Sequence, residues 1–451
     1  MKLFIPDIEV GPTDGFAPDK DIFGRKKFGE QIASLFAKVD DPLVLAIDGP
    51  WGSGKTVFLK MLAGHLRNNG FPVIEFDAFA HDYMEDAFTA LAGEVVELTS
   101  KSGKAKVKKI TEKAIALGKT LMRSSLKVAV SVATAGALKG TDIAEFGQAF
   151  GEAISEGLDK EIGEHITRRN KDRSTVEQFR AALTELSSHL VSEDESQKPL
   201  VFIIDELDRC RPTFALNILE RAKHFFSVQG VHFIFGTNMR ALESIVSLIY
   251  GKDIHAESYL QKFFNMIMWI SLKTDTDTNS DNKLMLRFLI GQHQFSEEDK
   301  DFSSGCADFF GLEGVSKKLS LRTLKSCLFH VALIAASRSA NWFRPPPLVA
   351  GLIALKFVNP SLYQKARRAE LLFGEVEHAL GLQQASDLNS DYKLRWARQM
   401  WRFATDRDFS DQDVEEVRRE YFRYSLPRDR FELLSWMTHD LVDNFNPIER
   451  A

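Results

Sequence analysis

Cysteine is nearly absent. Three residues, Cys210, Cys306 and Cys327, stand far apart in a chain of 451 and form no CxxC pair, which excludes a disulfide framework and gives no support to a zinc site. A reducing, cytoplasmic setting is expected. Surplus positive charge is missing too: the formal net charge is −5, so no global basic field points to nucleic acid or to an anionic membrane. Any such surface must be local. The apolar stretch VAVSVATAGAL (128 to 138) is only eleven residues long. A bilayer span needs about 20, so this stretch reads as a packed helix or turn. The amino-terminal MKLFIPDIEVGPTDG has a short apolar run before a proline and lacks the long apolar core of an export signal. Internal repeats and low-complexity tracts are absent.

What remains is ordinary globular material, 44% hydrophobic and 27% charged, long enough for two or three cores. An Asp-, Gly- and Pro-rich arm (1 to 20) precedes DIFGRKKFGEQIASLF, in which Phe28, Ile32, Leu35 and Phe36 recur at helical spacing. PLVLAID (42 to 48) is a continuous apolar run suited to a buried parallel strand. A glycine-rich turn follows, then a helix to about Asn68, then the strand candidate FPVIEFDAF, which together make a βαβ unit. The next strand, PLVFIIDELD, begins only at Pro199. The long interval before it predicts an insertion whose first part, 101–127, is strongly basic and whose later part, 141–165, is strongly acidic, suited to pairing as a helical hairpin. GVHFIFGTNMR (230 to 240) is a further buried strand, and helical pattern dominates after about residue 271. A proline cluster before LVAGLIALKF suggests a boundary near 345. The expected divisions are 1–95 and 176–272 for two parts of one α/β core, 96–175 for the helical insertion, 273–345 for a helical lid and 346–451 for a helical tail.

Gly49-Pro50-Trp51-Gly52-Ser53-Gly54-Lys55-Thr56 fits GxxxxGK[ST] between a strand and a helix. Glycines let the backbone curl so that its N–H groups face phosphates. The helix start, including Val57, adds positive dipole. Lys55 reaches the β and γ phosphates, and the Thr56 hydroxyl ligates Mg²⁺. In LVFIIDELDRCRP, Asp205 ends a buried strand where it can hold Mg²⁺, and Glu206 is placed to polarise the attacking water. Arg209 has two readings, an arginine finger acting in cis or in trans and a loop-ordering salt bridge to Asp205 or Asp208. Asn238, after Thr237, is either a γ-phosphate sensor that aligns water or an ordinary turn residue. Arg322, in KKLSLRTLKSCL, either reaches the nucleotide from a lid or sits on the surface.

Together DIFGRKKFGEQI, GPWGSGKT, FDAF, FIIDELDRCRP with LERAKHFF behind it, and ESYLQKFF resemble, in order and over roughly residues 20 to 330, the KAP family of P-loop NTPases, in the STAND and AAA+-related branch. The resemblance implies a parallel sheet covered by helices, an insertion between the two Walker motifs, a helical carboxy-terminal lid, and hydrolysis of ATP with Mg²⁺. It also implies insertions that often carry transmembrane helices, and a setting in exclusion of phage. Here the insert has no span of adequate length, so the membrane role left open is peripheral contact through 101–127. FDAF stands where the family favours a tryptophan, and Asn238 where an acid is usual.

The expected function is a Mg²⁺-dependent ATPase working as a conformational switch, read by an unidentified protein partner or by self-association. A kinase is disfavoured because Asp205-Glu206 offers a water-polarising acid. A nucleic-acid-stimulated motor rests on the 101–127 run alone, and an ATP-binding scaffold with little hydrolysis is the non-enzyme alternative.

Overall fold

The computed structural model describes residues 1–84, 198–225, 228–270, 280–337, 343–383, 392–421 and 429–443, with single residues between 91 and 98 and between 177 and 185. The insertion expected at 96–175, with its basic, apolar and acidic segments, lies outside the described residues but for Glu97 and Leu98. The chain divides into two compact units. One comprises Val10–Gly49 and Lys55–Ile270; the other comprises Met1–Glu9, Pro50–Gly54 and Ser271–Ala451.

The first unit is built on a parallel sheet. Its strands are β1 (Val44–Asp48), β2 (Val73–Asp77), β3 (Leu200–Asp205), β4 (Val231–Thr237) and β5 (Met266–Trp269), in the order β2-β3-β4-β1-β5. Leu-, Val-, Ile- and Phe-rich runs buried along their length, as in β3 and β4, are what a sheet covered on both faces requires. On one face Leu45, Ile47, Val201, Ile203 and Ile234 pack against Ile32 and Phe36 of α1 (Lys26–Phe36) and against Phe58, Leu59, Leu62 and Leu66 of α2 (Lys55–Asn68). On the other, Phe202, Ile204, Phe233 and Phe235 meet Phe214, Ile218 and Leu219 of α3 (Pro212–Phe225) and Leu242 and Val246 of α4 (Met239–Tyr250). Each fully buried side chain of this kind contributes about 1.5–3 kcal/mol. The DIFGRKKF stretch has a local cause: the Asp21 carboxylate accepts from the Arg25 and Lys26 amides at 2.8 and 2.9 Å and so starts α1.

One strand, β5, is not foreseen by the sequence pattern. It is four residues long, pairs with β1, and leaves Met266 and Trp269 exposed, so NMIMW shows neither alternation nor a buried run. A short helix, α5 (Ala256–Leu260), precedes it.

The second unit is helical: α6 (Asp281–His293), α7 (Lys300–Phe310), α8 (Glu313–Ser316), α9 (Leu321–Ser337), α10 (Pro346–Val358), α11 (Pro360–Arg367), α12 (Phe373–Leu380), α13 (Tyr392–Thr405), α14 (Asp411–Tyr421) and α15 (Leu433–Met437). The proline cluster opens α10, whose residues Pro347–Leu355 are all buried, so this helix runs through the unit's core. Trp401 of α13 packs against it and donates its indole N–H to Pro347 O at 3.2 Å. Among the described residues no helix is long and apolar enough to cross a membrane.

Candidate functional site

The strand-turn-helix at the head of the site forms as its spacing requires. Gly52 and Gly54 adopt φ of 78° and 82°, where a Cβ would cost about 1–2 kcal/mol. The Ser53 amide donates to Pro50 O at 3.2 Å, and the Gly49 amide extends the β1–β4 ladder by donating to Thr237 O at 3.2 Å. Lys55 opens α2 and is buried, and its ammonium donates to Gly49 O at 2.5 Å. Burial pulls its pKa down, while the charges of Asp208, Asp205 and Asp48 oppose that shift. Thr56 and Val57 are half-buried in the first helical turn, whose amides have no intrahelical acceptors and present an anion-binding end. Trp51 is 53% exposed. Within the helical unit, Gly52 lies against α9: a Cβ there would stand 3.0 Å from Arg322 Cβ and 3.1 Å from Ser320 Oγ. Ser320 caps α9 by accepting from the Thr323 amide at 3.1 Å.

The acids lie at the carboxyl end of β3. Asp205 accepts from the Glu206 amide at 2.8 Å, and the Thr56 hydroxyl is a second neighbour whose hydrogen-bonding capacity favours the carboxylate's charged form. Burial raises its pKa against the pull of those two neighbours and of Lys55. Because β4 stands between β3 and β1, the approach to Thr56 reaches across a strand. Glu206 adopts φ 59°, ψ 25°, a left-handed conformation that a non-glycine residue holds only when its surroundings impose it. Its Oε1 lies 2.9 Å from Arg209 Nη1. The salt bridge weighed for Arg209 therefore exists, but with Glu206 and not with Asp205 or Asp208, because the 3₁₀ turn Leu207–Arg209 brings residues three apart onto one face. Burial raises the Glu206 pKa, Arg209 draws it down, and Asp77, Asp205 and Asp208 add to the rise. Asp208 is itself buried.

Asn238 caps α4 with extended backbone and no side-chain cap bond. Asp48 and Gly236 escaped the sequence reading, whereas Thr237 was read with Asn238 as a strand-end pair. Asp48, the residue before the glycine turn, accepts from the Met239 amide at 2.9 Å and so ties β1 to the start of α4. Thr237, its register partner, is fully buried with a hydroxyl that has no hydrogen-bond partner. Gly236 stands opposite Ile47, facing Asp205. The acid ahead of GPWGSGKT and the Gly-Thr pair ahead of Asn238 are visible in the sequence, but nothing there says which face of the sheet they take.

A family model described as "KAP family P-loop domain" matches residues 25–338, well over half of the chain. The chain belongs to the KAP family of P-loop NTPases. Membership supports nucleotide binding, and the buried lysine, the positive-φ glycines and the helix that starts at Lys55 are the features that capacity needs. No curated protein matches the chain. Among solved structures it is similar to the ORC2 protein of Aeropyrum pernix, determined in ADPNP–ADP complexes, at 12% identity and a TM-score of 0.36, over 92% of this chain and 85% of that one. That similarity assigns no residue.

The donor set of the KAP domain also fits a divalent cation. Thr56 and Asp205 offer two hard oxygen ligands as neighbours, and the surrounding Asp48, Glu206 and Asp208 give negative charge that Lys55 and Arg209 do not balance. Cys210, beside the acids, is pushed up to about 12 by burial and by Asp82, Asp77, Asp208 and Glu206. It stays a protonated thiol at neutral pH.

Proposed function

We propose that the chain binds ATP with Mg²⁺ and hydrolyses the γ-phosphate, the change in bound phosphate driving a conformational switch. The observation that carries this is the reach of the Asp205 carboxylate over Gly236 of β4 toward Thr56, since a carboxylate turned across a strand toward a hydroxyl has little other use at the mouth of a phosphate loop. Mg²⁺, when bound, would neutralise phosphate charge. Lys55 and the first-turn amides of α2 hold phosphate, with Gly49, Pro50, Trp51, Gly52, Ser53 and Gly54 shaping the turn. Asp205 and Thr56 hold the metal, Glu206 orients and deprotonates water, and Arg209 fixes the Glu206 carboxylate. Asn238, directly after β4 at the cap of α4, aligns that water. Within the helical unit, Gly52 of the loop packs on Ser320 and Arg322 at the start of α9.

Single-turnover phosphate release from wild type and from Glu206→Gln decides between turnover and mere binding. A rate that falls in the variant while nucleotide affinity holds supports hydrolysis; equally slow release from both reduces the chain to an ATP-binding scaffold. For the biological setting, the family's link to phage exclusion makes plating of phage on cells carrying wild type or Lys55→Ala the test.

A further inference from the structure

β4 separates the strand that leads to the phosphate loop from the strand that ends in Asp205. To approach Thr56, the Asp205 carboxylate must pass over the end of β4 on the α2 face. Side chains alternate along a strand, and Ile234 belongs to the α2-side core while Phe233 and Phe235 belong to the other. The residue on the α2 face at the level of Asp205 is therefore 236, one step beyond the pair Ile204–Phe235 and directly opposite Ile47. It is a glycine. A Cβ at that position would lie 2.5 Å from Asp205 Oδ1 and 2.3 Å from Leu59 Cδ1, both far inside contact distance.

We infer that Gly236 is a positioning residue for the metal ligands: its missing side chain is the gap through which Asp205 reaches toward Thr56. Its backbone does not call for glycine, since 236 is not among the positive-φ positions and lies inside a regular β4 ladder. Glycine in the interior of a buried strand otherwise weakens it and marks a close approach by another group. Here two groups approach, a carboxylate oxygen at the site and the tip of Leu59 from α2. The second is core packing, so the two roles must be separated by experiment.

This inference rests on the reading of Thr56 and Asp205 as metal ligands, and the experiment carries a reference for that reading. A ribose-labelled fluorescent ATP is titrated onto the full chain in EDTA and at rising Mg²⁺, for wild type, Asp205→Asn, Leu59→Ala, Gly236→Ala and the double variant Leu59→Ala/Gly236→Ala. In EDTA all five bind the probe alike, because Lys55 and the loop amides are untouched. With Mg²⁺, Asp205→Asn, Gly236→Ala and the double variant need about tenfold more metal for half-maximal tightening, and Leu59→Ala does not. If the double variant responds to Mg²⁺ as wild type does, Gly236 merely accommodates Leu59 and the inference is overturned. A double variant that fails to fold where Leu59→Ala folds also overturns it, since moving one carboxylate at the carboxyl end of β3 does not unfold a sheet. An Asp205→Asn protein with wild-type Mg²⁺ response overturns the metal reading and the inference together, whereas a shift in Asp205→Asn without one in Gly236→Ala overturns the inference alone.

Discussion

Arg209 Nη1 and Glu206 Oε1 lie 2.9 Å apart, joined across one 3₁₀ turn, with the Glu206 side chain 19% exposed and that of Arg209 34%. The pair holds a carboxylate that burial and three neighbouring acids would otherwise push toward its neutral form. Arg209→Ala is expected to leave nucleotide affinity unchanged and to lower single-turnover phosphate release about 10- to 100-fold. Arg209→Lys, which keeps the charge but not the planar fork, recovers part of the loss. Unchanged release in Arg209→Ala would mean that the pair only orders the loop.

Glu206→Gln keeps the size and polarity of the side chain and removes its basicity. Nucleotide binding by equilibrium fluorescence holds, while phosphate release falls about 100-fold or more. The variant then traps the ATP-bound state, and its use as bait in a pull-down reports the partner of that state.

Lys55 is the buried cation of the loop, and burial already lowers its proton affinity. Its removal in Lys55→Ala takes away a charge-assisted contact to phosphate and weakens nucleotide binding by roughly 10- to 100-fold. Near-normal affinity by isothermal titration would refute the loop assignment.

Gly52→Ala meets two obstacles, a φ of 78° and the crowding of Arg322 Cβ and Ser320 Oγ at 3.0 and 3.1 Å. Left-handed strain alone costs about 1–2 kcal/mol. A lower thermal midpoint is expected in the absence of nucleotide, together with weaker binding. Gly24→Ala is the control: its φ of 63° is similar but its Cβ would touch nothing, so it isolates the backbone cost from the crowding.

His232 is fully buried, stacks on Phe36 at 4.5 Å, and accepts the Leu43 amide at 3.2 Å through Nδ1. Desolvation lowers its pKa below the usual 6.5, as it does for His65, His293 and His330. Below pH 6.5 the unfolded chain binds protons that the folded chain refuses, so stability is full above that pH and falls as pH drops, by up to about 1.4 kcal/mol per pH unit for each such histidine. Denaturant midpoints between pH 7.5 and 5.5 measure the slope. His232→Asn, which offers an amide oxygen to Leu43 without titrating, reduces it; an unchanged slope would remove His232 from the account.

The helix-strand order of the core was legible because its causes are local. Val44–Asp48, Leu200–Asp205 and Val231–Thr237 are apolar runs that only a covered sheet can bury, and the Gly52 and Gly54 conformations leave their mark as glycines before Lys55-Thr56. The match of residues 25–338 to the KAP family accords with the motif order read from the chain. The strand Met266–Trp269 left no such mark, because an edge strand held by one neighbour needs no hydrophobic periodicity.

By itself, then, the sequence determined the strands β1 to β4 and the helix after the first, that a phosphate loop opens α2, and which acids end β3, but not the edge strand Met266–Trp269. Only the tertiary structure decided who meets whom: that Arg209 takes Glu206, that Asp205 crosses β4 toward Thr56, that Gly236 leaves the gap for it, and that Asp48 ties down α4. Hydrophobic periodicity and turn chemistry are properties of neighbours along the chain. Strand order and register are not, since they follow from how whole faces bury together, and every cross-strand contact at the site depends on them.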